Sequence, residues 1–159
     1  MLRQKSELTQ SFIQTSSDAK ERRIQLFLSR LAMISVLCVD DDSDHLFLEK
    51  ISLGEPGVLT VTTALSAREA LMDMETNRFD AVVADYQMPG MDGIGLLKRV
   101  HAANPGLPFI LYTRKGQEEI VFEASNSDAE FYLQKNGELM VEFARLKDMI
   151  FKSVKTEAV

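Results

Sequence analysis

At 159 residues the chain has room for one domain with a sizeable core and a short appendage, and none for a second catalytic domain. Its formal charge of −6 is unevenly spread: residues 1–32 hold six basic and three acidic side chains, leaving 12 basic and 21 acidic in a body too acidic to suit nucleic-acid binding. The single cysteine, Cys38, excludes an intrachain disulfide and sits in an apolar run, as a buried core residue in a reducing compartment would. The amino terminus offers no apolar stretch of signal-peptide or membrane-spanning length, so the expected location is the cytoplasm.

Residues 1–32 differ in composition from the rest of the chain and form the first expected segment, an N-terminal extension. Asp18 with Glu21 has capping-box spacing, and Ile24, Leu28 and Leu31 share a helical face, which predicts a helix over about 18–32. Three readings stay open: a helix packed on the body or on a second copy in a homodimer, a mobile tail, or an extension outside the native start at Met33. From Ile34 strands and helices alternate. Strand one covers Ile34–Val39 and runs into Asp40, Asp41 and Asp42, after which Ser43 caps a helix to about Leu53. Strand two is expected over Val58–Thr62. Ser66 and Glu69 make a second capping box, opening a helix with Ala67, Ala70, Leu71 and Met74 inward. Phe79–Ala84 is an apolar, partly β-branched run bounded by breakers, as a strand buried on both faces reads, and it stops at Asp85. A third helix is expected over Gly93 to about Ala103, strand four over Phe109–Thr113, a fourth helix over Gly116 to about Ser125 and strand five over Glu130–Leu133. Leu139, Phe143, Leu146 and Ile150 line one face of a final helix. Five strands alternating with five helices argue an α/β, doubly wound parallel sheet covered on both faces; the body is expected over 33–154 and a tail over 155–159.

In such a sheet the strand ends open on one edge, so the three aspartates, Asp85, Thr113 and Lys135 converge on one cleft. Clustered carboxylates repel unless they are protonated or bridged by a cation. An oxygen-only donor set that meets a phosphate suits Mg²⁺. Asp85 can then act as a nucleophile giving an acyl phosphate, with the Lys135 ammonium and the Thr113 hydroxyl bonding the phosphoryl oxygens.

Residues 34 to about 153 resemble a receiver domain of the two-component response regulators, through VDDD at 39–42, DYQMPGMDG at 85–93, LYTRKG at 111–116 and FYLQK at 131–135. The DYQMPGMDG loop and the QK ending are also similar to receivers of archaeal sensory proteins. The resemblance implies a flavodoxin-like sheet of order 2-1-3-4-5. It implies Asp85 as phosphoacceptor, Asp41 as a direct Mg²⁺ ligand, Asp40 as a ligand through water and the Gln87 backbone carbonyl as a third protein ligand. Thr113 and Tyr132 would form the switch, repacking the face of the fourth helix, fifth strand and final helix, while Gln87 and Lys115 tune the phosphoryl lifetime. The implied partners are a sensor histidine kinase or histidine phosphotransfer protein and a downstream protein target. The implied activity is limited to the chain's own aspartyl phosphorylation and dephosphorylation, with no external substrate; because only a few polar residues follow the final helix, no output domain is expected.

Two positions depart from the family. Asn136 stands where proline usually follows the lysine, which predicts a trans bond and a different loop, since a cis bond before a non-proline residue costs about 2.5 to 4 kcal/mol. Residues 126–129, NSDA, lack the usual turn glycine, leaving Asp128 to take a left-handed conformation. His45 and His101 read as helix-surface residues, Asp42 as an outlying carboxylate, and Met88 and Met91 as packing residues. A haloacid-dehalogenase-type phosphatase would use Asp40 and Asp42, but Asp44 occupies a position where that family wants Thr or Val. The remaining alternative is an unphosphorylated pseudo-receiver that only binds protein, for which Asn136 speaks.

Overall fold

The computed structural model describes residues 18–24, 33–116, 120 and 131–157. The chain divides into two compact units, Met1–Met33 and Ile34–Val159. In the first, residues 18–24 are helical, within the helix expected over about 18–32, and the rest of that expected helix lies outside the described residues.

The second unit is built on a five-stranded parallel sheet, β1 (Ile34–Val39), β2 (Leu59–Ala64), β3 (Ala81–Ala84), β4 (Phe109–Thr113) and β5 (Phe131–Gln134), in the order β2-β1-β3-β4-β5. Helices α1 (Ser43–Leu53), α2 (Ala67–Thr76) and α3 (Gly93–Ala103) connect the strands, and a C-terminal helix spans Leu139–Glu157. Of the helix expected over 116–125, only Gly116 and Ile120 are described, and Ile120 is helical and buried. The turn at 126–129 lies outside the described residues.

Alternation along each strand sorts side chains between two cores. Leu37, Val39, Val82, Ala84, Phe109 and Leu111 face α2 and α3. Val36, Cys38, Ala81, Val83, Ile110 and Tyr112 face α1 and the C-terminal helix, where Phe143, Leu146 and Ile150 are buried. Every residue of β3 and β4 is buried, which is why these strands read as unbroken apolar runs. At about 25 cal/mol per Å² of apolar surface removed from water, these two layers supply most of the folding drive.

Several boundaries move from the sequence-based expectation for identifiable reasons. β2 runs on to Ala64 because β1 offers it a partner at Val39, and β5 reaches Gln134 because Thr113 pairs with it. β3 starts at Ala81 because Asp80 is spent on a local clasp: its side chain accepts the Ser35 N–H at 2.7 Å and its own N–H donates to the Ser35 carbonyl. Asp42, not Ser43, caps α1, accepting the Asp44 and His45 N–H groups at 3.1 Å. In α2 the Ser66 hydroxyl accepts the Glu69 N–H, and Glu69 reaches back to the Leu65 N–H, one residue beyond the usual box.

Candidate functional site

Each strand that carries a site residue ends at the same edge of the sheet, so β1 delivers Asp40 and Asp41, β3 Asp85, β4 Thr113 and β5 Lys135. Two backbone bonds extend the ladders through the site: the Asp85 N–H donates to the Val39 carbonyl at 2.9 Å, and the Lys135 N–H to the Thr113 carbonyl at 2.7 Å. The loop after β3 is pulled tight by the Gly93 N–H donating to the Tyr86 carbonyl, and a Cβ at Gly93 would collide with the Asp85 carbonyl oxygen. Gly90 takes φ +79°, a left-handed conformation that suits glycine. Glycines at 90 and 93 therefore let α3 start directly against the residue carrying the carboxylate.

Asp40, Asp41, Asp42, Asp85, Gln87, Thr113, Arg114 and Lys135 line a cleft of about 170 Å³. Carboxylate oxygens of Asp40, Asp41 and Asp85 lie within 4.8 Å of one another. Asp40 is buried; its Oδ2 accepts from the Lys135 Nζ at 2.6 Å and its Oδ1 from the Asp42 N–H at 2.9 Å. Asp85 is half-buried and accepts the Tyr86 N–H at 2.8 Å, while the Thr113 hydroxyl lines the same cleft and accepts the Lys115 N–H at 3.3 Å. Burial pushes its carboxyl above the usual range, against Lys135 and Thr113 which favour the charged form, while Asp40 adds to the rise. Lys135 also rests 4.8 Å from the centroid of the Tyr112 ring.

The cleft thus gathers every residue expected there from the strand ends, and two further expected residues sit beside it. Lys115 lies over the Tyr86 ring at 4.6 Å, and the Tyr132 hydroxyl donates to the Lys115 carbonyl. Arg114 at the cleft rim is an addition to the expected set, since a charge beside a strand end reads as a solvated turn. The Lys135–Asn136 bond is trans, as expected. Met88 and Met91 pack against the core, also as expected.

Both histidines depart from a helix-surface placement. His45 has only 10% of its side chain exposed, lies 5.4 Å from the Tyr112 ring and 5.7 Å from Phe143, and faces Glu49 at 3.7 Å. It is enclosed because α1 packs against both the sheet and the C-terminal helix. Burial lowers its pKa, with Lys135 and Arg114 in the same direction and Asp40 and Asp42 opposing. His101 meets Phe109 edge-on and bonds the Leu107 carbonyl oxygen at 2.8 Å, turned inward by the loop after α3. Glu49 is 2% exposed, and burial pushes its carboxyl up to about 7. Its position, three after Leu46 and four before Leu53, was the available signal: a charged residue on the core-facing stripe.

A second cavity, about 690 Å³, lies at the other end of the sheet, among residues that precede β3 and β4, including Leu71, Met74, Arg78, Phe79, Arg99 and Leu107. It gathers no comparable set of converging carboxylates.

Residues 36–152 match the response regulator receiver domain family. The chain is 34% identical over 121 residues to the transcriptional regulatory protein ZraR of Salmonella typhimurium, covering 76% of this chain and 26% of ZraR, so it spans about a quarter of that relative's length. The receiver domain of Francisella response regulator 1452 superposes with TM-score 0.67 at 30% identity, covering 77% of this chain and 98% of that one. The response regulator TrrA of Thermotoga maritima, solved in complex with Mg²⁺ and BeF, superposes with TM-score 0.65 at 26% identity, covering 76% and 99%. The five-strand order, the acidic cleft and the match across residues 36–152 agree, and this chain belongs to the receiver domain family of the response regulators.

Proposed function

We propose that the chain is a phosphorylatable receiver, with a body over 33–154, that takes a phosphoryl group from a phosphohistidine onto Asp85. The observation that carries this is the meeting of three carboxylates within 4.8 Å with an ammonium and a hydroxyl from two further strands. The donor set of Asp40, Asp41 and Asp85 is oxygen-only, which fits Mg²⁺, with the Gln87 carbonyl as a further ligand. When bound, the ion supplies positive charge that offsets carboxylate repulsion and the charge of the phosphoryl oxygens.

The chain's own residues do the rest. The Tyr86 N–H orients the Asp85 carboxylate. An Asp85 oxygen attacks phosphorus, the P–N bond of the donor histidine breaks, and its electron pair leaves with the imidazole nitrogen, which takes up a proton. Lys135 and Thr113 hold phosphoryl oxygens as charge develops on them. The Tyr132 tie to the Lys115 carbonyl spans β5 and the segment after β4, so a shift of Thr113 toward the phosphoryl group would be read by Tyr132. Gln87 and Lys115, flanking the cleft, tune hydrolysis. The partners are a sensor histidine kinase or phosphotransfer protein and a protein target that reads the switched face. Among the described residues no helix is long and apolar enough to cross a membrane, and the reading is of a cytoplasmic protein.

Intact mass after incubation with acetyl phosphate, with and without Mg²⁺, tests this. One added phosphoryl group that requires Mg²⁺ is expected for the wild type and none for Asp85→Asn. No gain in the wild type would favour a module that only binds protein.

A further inference from the structure

After β5 the chain passes through Asn136, Gly137 and Glu138 before the C-terminal helix starts at Leu139. No proline in those three residues stiffens the backbone, and Gly137 loosens it. Yet Lys135, a flexible four-carbon side chain, must present its ammonium at a defined point, and a misplacement of about 1 Å at such a site can cost about a hundredfold in rate.

The restraint comes from the first turn of the C-terminal helix. Glu142 is 6% exposed, and its two oxygens are split between the loop after β5 and the end of β4. Oε1 accepts the Gly137 N–H, two residues past Lys135, and Oε2 accepts the Tyr112 hydroxyl at 2.8 Å. Tyr112 is 1% exposed, is flanked by His45 at 5.4 Å and Phe143 at 6.5 Å, and carries the Lys135 ammonium 4.8 Å from its ring centroid. One carboxylate therefore ties the loop behind the lysine to the ring in front of it.

We propose that Glu142 is a positioning residue for Lys135, clamping the Gly137 backbone to Tyr112 so that the ammonium is aimed into the acidic cleft. This rests on the phosphoryl-transfer reading for its rate consequence and not for its geometry. A buried carboxylate that only complemented the helix N-terminus would affect melting and leave the lysine unmoved.

The test compares Glu142→Leu, which keeps bulk and removes both acceptors, with Glu142→Gln, whose amide oxygen can still accept from Gly137 and whose NH₂ can donate to Tyr112. Three quantities are read on the full chain: the rate of phosphorylation by acetyl phosphate at saturating Mg²⁺, the Mg²⁺ concentration at half-saturation, and the ¹⁵N ammonium resonance of Lys135, assigned with Lys135→Arg. Glu142→Leu is expected to lose about tenfold or more in rate, with the Mg²⁺ midpoint within about twofold of wild type and the Lys135 resonance broadened by solvent exchange; Glu142→Gln returns to within about threefold. A folded Glu142→Leu with wild-type rate and resonance overturns the proposal, as does a loss that Gln does not rescue. If Glu142→Leu does not fold, Tyr112→Phe removes one arm of the clamp, and an unchanged Lys135 resonance there counts against it. If the wild type gains no phosphoryl group, the phosphoryl-transfer reading falls while the Lys135 resonance still decides the clamp.

Discussion

The two ends of the sheet offer opposite kinds of cavity. At the end where the strands finish, a cleft of about 170 Å³ brings together charges from four strands. At the end where they start, a cavity of about 690 Å³ is lined by Leu71, Met74, Phe79 and Leu107 with exposed arginines at its rim. The chemistry gathers at the first of these because parallel strands aim their carboxyl ends at one edge, so the side chains that follow four different strands meet there. In the smaller space, Lys135 and Asp40 are each other's counter-charge, so removing one leaves the other unpaired.

Substitutions can break that contrast. The largest effect is expected at Lys135, whose ion pair with Asp40 is nearly enclosed. Lys135→Met should slow phosphorylation by about a hundredfold. It should also cost about 3 kcal/mol in denaturant unfolding without Mg²⁺, since Asp40 is left buried without its counter-charge. Added Mg²⁺ should then raise the melting temperature more than in wild type, because a ligand of the native state alone stabilises it by mass action. An identical Mg²⁺ response in both proteins would contradict the shared-charge account.

Glu49 sharpens the comparison from the side, lying behind the cleft on α1 without belonging to it. With its carboxyl raised from 4.5 to about 7, the folded chain keeps a proton that the unfolded chain has lost across that interval. Stability relative to Glu49→Gln should therefore fall as pH rises from about 4.5 to about 7, by on the order of 3 kcal/mol in total. His45, whose pKa is lowered, loses stability in the opposite direction as pH falls below the free imidazole value, so the difference between variant and wild type is the quantity to follow. Parallel unfolding curves across this range would show that Glu49 is not protonated on folding. Asp41→Asn should raise the Mg²⁺ concentration needed for half-maximal phosphorylation by about tenfold, with little loss of stability because Asp41 is exposed. The smallest effect is expected at the far cavity: Arg99→Ala should change stability by about 0.5 kcal/mol or less and leave the phosphorylation rate unaltered.

Much of this arrangement is written locally in the chain. Buried strands read as apolar runs, the Ser66–Glu69 spacing announces α2, and the polar residue closing each of four strands marks the functional edge. What escaped depends on packing between distant elements. Asp42 rather than Ser43 caps α1 because the chain has already turned at Asp41, with Asp42 N–H held by Asp40. His45 is enclosed only because Tyr112 and Phe143 arrive from strand and helix far along the chain, and Glu142, which bridges Gly137 and Tyr112, lies 30 residues from that tyrosine. Glu49 was within reach of a helical-stripe argument, since its neighbours on that stripe are apolar. Asp128 and its turn fall outside the described residues, as does most of the segment from 117 to 130.

The central claim is that convergence at the strand ends makes Asp85 the reacting group. Its most direct test locates the modification: wild-type protein treated with acetyl phosphate and Mg²⁺ is reduced with borohydride, which converts an acyl phosphate to an alcohol, and the peptides are mapped by mass. The account predicts homoserine at position 85 and unmodified aspartate at 40, 41 and 42. Homoserine at one of those three, or label recovered on another residue type, would contradict it.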